Sequence, residues 1–199
     1  GKNLNMKKVF FMIIVLFSFS FAGELKIGQK SPGTNLFLKN VDGNNLTLKQ
    51  LKKENGILVI FSCNTCPWVV RWQDRYNSLA KLCSLNDIGF VAVNSNARLH
   101  NSVDSFDEMI YHAAVNDYQF PYVLDKNAEL AKLFGAMKTP HVYLFNKNDI
   151  LVYRGAIDDN AKNANKVKNK YLENAIISSS KEEKIKVETT KALGCSIKF

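Results

Sequence analysis

The sequence is poor in several residues whose abundance would settle a class outright. Four prolines and ten glycines in 199 residues are too few for a collagen-like or low-complexity chain. No heptad run or internal repeat is present, which excludes coiled coils and solenoids. Four cysteines are too sparse for a disulfide scaffold. A chain of this length buries roughly 70% of its unfolded surface without staples, so the cysteines point to chemistry. No apolar run reaches the ~20 residues that a membrane-spanning helix needs. Acidic residues are also scarce, 18 against 27 Lys and Arg, a net charge of +9. That excess is local: residues 1–22 carry three Lys and no acid, residues 161–199 carry nine Lys and four Glu, and residues 23–160 balance to +1. Neither basic segment interleaves aromatics or matches a nucleic-acid motif, so the C-terminal charge reads as a solvated helix face and no nucleic-acid partner is expected.

What is present begins with an export signature. Met6-Lys7-Lys8 is basic, Val9 to Phe17 is unbroken apolar sequence, and Ser20-Phe21-Ala22 offers small residues at the two positions a signal peptidase reads. Residues 1–22 are therefore expected to be a signal peptide, with five residues ahead of Met6. Residues 23–199 are expected to form one domain, with a C-terminal extension from about 161. The predicted location is periplasmic or extracellular, with no stable membrane span after cleavage. An uncleaved N-terminal anchor is the other reading. Thiols there work where disulfides persist.

The rest of the chain alternates strands with helices. Asp42-Gly43 between residues 36–38 and 46–48 signals a hairpin. Residues 57–61 and 89–93 are short, wholly apolar runs, the pattern of strands buried on both faces. Between them Val69, Trp72, Tyr76, Leu79 and Cys83 recur at helical spacing, so a long helix buries that stripe and Cys83 with it. A helix is predicted near 106–114, a strand at 122–124, a helix near 128–134, a hairpin over 141–145 and 150–153, and a last helix over 166–177. This predicts an α/β fold, a central mixed sheet flanked by helices with antiparallel edges.

Cys63-Asn64-Thr65-Cys66-Pro67 falls where the first buried strand gives way to the long helix. Unpaired N–H groups and the helix dipole favour a thiolate at such a point. The pattern gives that role to Cys63, with its pKa lowered from about 8.5 into the range of roughly 3.5–7.5. Cys66, one turn on, is then the resolving thiol. A structural disulfide and a structural zinc site are the blander readings. The first would constrain the unfolded chain little, and the second lacks a second cysteine pair.

Phe61-Ser62-Cys63-Asn64-Thr65-Cys66-Pro67, Val91 to Asn96, Phe120-Pro121-Tyr122, Thr139-Pro140, Tyr153 to Asp159 and Gly194 to Phe199 together resemble the thioredoxin-like redoxins, in the peroxiredoxin-like branch of the alkyl hydroperoxide reductase/thiol-specific antioxidant (AhpC/TSA) superfamily. The resemblance implies a thioredoxin-like fold and a redox-active Cys63–Cys66 pair. It also implies a cis Pro140 packed against the pair, and a Thr139 whose backbone receives an extended substrate segment. The chain departs from thioredoxin in having Ser62 and an all-apolar strand ahead of the pair. It departs from peroxiredoxins in having Cys63 and Val59 where their motif has other residues before Cys66. Arg154 is a candidate to polarise a peroxide or hold a thiolate, and Cys195 a candidate third redox thiol.

The expected activity is thiol–disulfide exchange on a protein or small-molecule disulfide, recharged by a separate thiol donor and needing no cofactor or metal. A thiol-dependent peroxidase is the alternative within enzymes. A copper-binding chaperone using the two cysteines and His141 is the alternative outside them.

Overall fold

The computed structural model describes residues 23–199; the export segment expected over 1–22 lies outside the described residues. In chain order the elements are β1 (Leu38–Asn40), β2 (Asn45–Leu46), α1 (Leu48–Leu51), β3 (Gly56–Ser62), α2 (Pro67–Trp72), α3 (Tyr76–Leu85), β4 (Ile88–Asn94), α4 (Phe106–Val115), β5 (Tyr122–Leu124), α5 (Glu129–Phe134), β6 (Lys138–Thr139), β7 (His141–Asn146), β8 (Leu151–Gly155), α6 (Tyr171–Ser180) and β9 (Cys195–Ser196). Seven strands form one mixed sheet in the order β2-β1-β5-β4-β3-β7-β8, and β6 pairs with β9 in a separate small ladder. The centre, β3, β4 and β5, is parallel, and the flanking pairs are antiparallel. This is the mixed sheet with antiparallel edges that the sequence predicts.

Every residue of β3 and β4 is buried because helices cover both faces of the sheet. Strand alternation sends Leu58, Ile60, Val142 and Leu144 to one face, against Val69, Trp72, Tyr76, Leu79 and Cys83 from α2 and α3. Ile57, Val59, Phe61, Tyr143 and Phe145 go to the other, against Leu130, Ala131 and Phe134 of α5. Phe61 and Phe134 meet edge to face at 5.3 Å.

Three expectations need correction. The first hairpin is short, because Thr47 leaves the strand to cap α1: its hydroxyl accepts from the Gln50 N–H while Gln50 Oε1 accepts from the Thr47 N–H. The long helix breaks at a 3₁₀ turn, Gln73–Arg75, where Arg75 turns inward. Its Nε lies 3.2 Å from Asp158 Oδ2, and Trp72 Nε1 donates to the other oxygen at 2.9 Å. This buried pair fastens the segment after β8 to the helix that carries the thiols. The last helix starts at Tyr171 rather than 166, because the Asp159 carboxylate takes the N–H groups of Lys168 and Asn169, each at 3.0 Å, and holds that stretch in a loop.

Beyond α6 the chain returns as a strap. The Thr190 hydroxyl accepts from the Ala156 N–H at 2.8 Å, and Arg154 and Thr189 form a parallel bridge beside it. The strap then reaches β9, where Thr139 stands opposite Cys195. Ile197 is buried in the α5 face of the core, and the Lys198 N–H donates to Asn96 Oδ1 at 3.0 Å.

Candidate active site

The end of β3 delivers Ser62 and then Cys63 to the helical face of the sheet, and the chain turns through Asn64 and Thr65 to Cys66. Pro67 fixes the helix start. Its ring pre-sets φ at the first helical position, so Cys66, in extended backbone, is the N-cap of α2. Cys63 is buried three residues outside the helix.

The turn is held by a polar cluster. Asp104, fully buried, accepts the Asn64 N–H at 2.8 Å, the Asn94 side-chain amide at 2.9 Å and the Asn96 amide at 2.8 Å. The Tyr122 hydroxyl donates to Asn64 Oδ1 at 2.8 Å. The end of β4, β5 and the loop that carries Asp104 thereby fix one turn, and buried polar groups so satisfied rigidify the site they surround. Asn94 and Asn96 fall within one of the segments that carry the family resemblance, but nothing in the sequence gives Asp104 a role. It sits in a loop without periodicity, and only the fold brings it under the turn.

Thr139 faces both sulfurs. Cys63 Sγ and Thr139 Oγ1 are 3.5 Å apart, and the Cys66 thiol donates to the Thr139 carbonyl at 3.2 Å. The Thr139–Pro140 peptide is cis, as the resemblance implies. Cys63, Cys66 and Cys195 are all free thiols, and Cys195, the most exposed of the three, meets Cys66 from β9.

The surroundings of the two sulfurs favour the anion at Cys66. Its thiol is held down to about 4, first by the Cys63 thiol donating toward it, then by the Cys195 thiol and the backbone N–H groups of Val69 and Cys195, with burial opposing. The contact to the Thr139 carbonyl, which only the protonated thiol makes, also opposes ionisation. Cys63 is pushed up: it is the donor in that pair, it is buried, and the Asp104 carboxylate lies near. This reverses the sequence expectation of a lowered Cys63. The first reason is the hydrogen bond between the two thiols, in which Cys63 is the donor; the position of Cys66 as N-cap of α2, with the Val69 N–H favouring its anion, adds to it. Pro67 marks that cap position in the sequence.

Residues 26–171 match the family model described as Redoxin. The chain belongs to the Redoxin family. The crystal structure of an uncharacterized conserved protein from Geobacillus kaustophilus is 32% identical, covers 87% of this chain and 92% of its own, and superposes with a TM-score of 0.81. A hypothetical protein from Sinorhizobium meliloti is 27% identical over 89% of this chain and 96% of its own, also with a TM-score of 0.81. At 17% identity, the crystal structure of a putative thiol:disulfide interchange protein DsbE from Chlorobium tepidum shares the thioredoxin-like fold, with a TM-score of 0.63 over 79% of this chain and 99% of its own. No curated protein matches the sequence.

Two candidates from the sequence stand apart from the thiols of this redoxin. Arg154 pairs in register with Tyr143, so its guanidinium projects to the α5 side of the sheet and forms an ion pair with Glu24. It polarises nothing at Cys66. His141 projects to the same side, with Nε2 3.1 Å from Glu24 Oε1 and Nδ1 3.2 Å from the Tyr143 hydroxyl. The structure therefore does not bring His141 to the cysteines as the copper reading requires. Among the described residues no group of three or more His, Cys, Asp or Glu is arranged to hold a metal ion. A cavity of about 590 Å³ beside Glu24, His141 and Arg154 lies on this far side. Cys83 is buried in the helical core and pushed up to about 12 by that burial, so it takes no part.

The backbone edge of Thr139, expected to receive a substrate strand, is occupied by the redoxin's own β9. Gly194 is what permits the approach: a Cβ there would lie 2.3 Å from the Thr139 carbonyl oxygen.

Proposed function

We propose that this redoxin is an exported thiol–disulfide oxidoreductase in which Cys66 is the attacking thiolate and Cys63 the resolving thiol. The observation that carries the reading is geometric: Cys66 is the N-cap of α2, and both it and Cys63 lie against Thr139 next to the cis peptide, where the Cys63 thiol and the Val69 N–H favour the Cys66 anion. The Cys66 thiolate attacks one sulfur of a substrate disulfide, forming a Cys66–substrate bond and releasing the other half as a thiolate. Cys63 then attacks Cys66 Sγ, its proton passing to the departing thiolate. The Cys63–Cys66 disulfide forms, the second thiol is freed, and two electrons have moved from the protein to the substrate. A separate thiol donor restores the pair. Export rests on residues 1–22, and N-terminal sequencing of the cellular protein tests it: a chain starting near Gly23 supports it and a retained Met6 contradicts it.

The activity is tested by mixing reduced protein with equal amounts of glutathione disulfide or of hydrogen peroxide and following loss of thiols, with peptide mapping. The expected result is faster oxidation by the disulfide, ending in a Cys63–Cys66 bond. Faster oxidation by peroxide, with sustained peroxide consumption when a donor thiol is supplied, would overturn the proposal in favour of a peroxidase working through a sulfenic acid.

A further inference from the structure

Cys63 and Cys66 are both buried, and the backbone edge that leads to them is closed by the protein's own C-terminal strand. That strand is firmly seated. The Ile197 N–H donates to the Met137 carbonyl at 3.0 Å, the Arg98 N–H donates to the Lys198 carbonyl at 3.0 Å, and the Ile197 side chain is buried. It ends the strap with a cysteine directly opposite Thr139, whose carbonyl lies 3.2 Å from Cys66 Sγ. Cys195 thus occupies the place of a substrate cysteine presented by an added strand, and it is the one member of the three-thiol cluster that retains substantial exposure.

We propose that Cys195 is an internal relay: it takes over the disulfide of the buried pair as a Cys66–Cys195 bond and is the sulfur on which the external thiol donor acts. The inference rests on the Cys63–Cys66 reading above. In the first step the Cys195 thiolate attacks Cys66 Sγ, the Cys66–Cys195 bond forms, the Cys63–Cys66 bond breaks, and Cys63 leaves as a thiolate that takes up a proton. No electrons enter or leave. In the second step a donor thiol attacks Cys195 Sγ, which frees the Cys66 thiolate and leaves a donor–Cys195 mixed disulfide. A second donor thiol resolves it, so that two thiols are oxidised to one disulfide and the protein gains two electrons.

The local charges give the exchange its order. While Cys66 is a thiolate, Cys195 is pushed up by burial and by that neighbouring sulfur. Once Cys66 is locked in the disulfide its negative charge is gone, and the Trp68 N–H and Lys198 that favour the Cys195 anion are left with less to oppose them.

Three measurements on residues 23–199 test the relay. Cys63→Ser protein treated with glutathione disulfide is expected to end with Cys66 bonded to Cys195, seen by peptide mapping. In the same background Gly194→Val, which keeps the Cys195 thiol in the chain but pushes β9 off Thr139, is expected to abolish that bond. With Cys63 intact, Cys195→Ser protein first brought fully to the Cys63–Cys66 disulfide is expected to be recharged by reduced thioredoxin at least about tenfold more slowly than the native protein in the same state, the scale set by losing an intramolecular step. The relay is overturned if the Cys63→Ser protein keeps Cys66 glutathionylated with Cys195 alkylatable, or if Cys195→Ser recharges at the native rate. Failure of the native protein to form any Cys63–Cys66 bond is a different result, and it overturns the parent proposal instead.

Discussion

Cys66→Ser is expected to abolish release of thiol from glutathione disulfide, a loss of at least about 10³-fold, because a serine hydroxyl is not ionised near neutral pH and forms no disulfide. Cys63→Ser is expected to release the first thiol at close to the native rate. The asymmetry is the informative part. Cys66 is the N-cap of α2 with donors around its sulfur, whereas Cys63 is buried and near the Asp104 carboxylate. A serine at 63 still offers a hydroxyl to the thiolate, so the nucleophile survives and only resolution by Cys63 is lost. Rapid-mixing measurement of the first thiol released distinguishes the two variants. Equal losses, or the larger loss in Cys63→Ser, would return the nucleophile to the first cysteine.

Asp104→Ala is expected to destabilise the fold by roughly 3–9 kcal/mol, since three buried donors, from Asn64, Asn94 and Asn96, lose one acceptor at about 1–3 kcal/mol each. Chemical denaturation measures it. Asp104→Asn keeps one acceptor oxygen and is expected to cost less, and it carries a second signature that lost packing would not produce. The carboxylate pushes the Cys63 thiol up, because a negative charge nearby disfavours a second one. Its removal is expected to bring Cys63 down and raise its alkylation rate at alkaline pH. Asp104 is not among the groups that set Cys66, so that thiol is expected to keep its own profile. An Asp104→Asn protein of native stability and unchanged Cys63 reactivity would show that the cluster neither holds nor tunes the site.

Much of this architecture is written in local pattern. The apolar runs of β3 and β4 read as strands covered on both sides, and the stripe from Val69 to Cys83 reads as buried helix, although its 3₁₀ break has no signal there; sequence pattern alone thus puts the cysteine pair at a strand-to-helix junction. The position of the helix start is legible too, in Pro67, since a proline at the first helical position makes its predecessor, Cys66, the cap. Other features have no local signature. Asp104 is an isolated acid in a loop, and its three partners come from segments 8 to 40 residues away. Strand β9 is two residues long and has no meaning without β6, to which it is antiparallel. Arg154 and His141 illustrate the reverse: proximity in sequence to motif residues suggests a role, but strand alternation turns both to the face away from the sulfurs.

The mechanism and the relay both require Cys66 to carry the negative charge of the site, and the most direct measurement is the pH titration of thiolate ultraviolet absorbance in the reduced protein and its single-cysteine variants. One thiolate is predicted to titrate near pH 4, to remain anionic throughout the neutral range, and to vanish in Cys66→Ser while persisting in Cys63→Ser. A site in which no thiolate forms below neutral pH, or in which the acidic transition disappears with Cys63 and survives the loss of Cys66, would contradict this assignment.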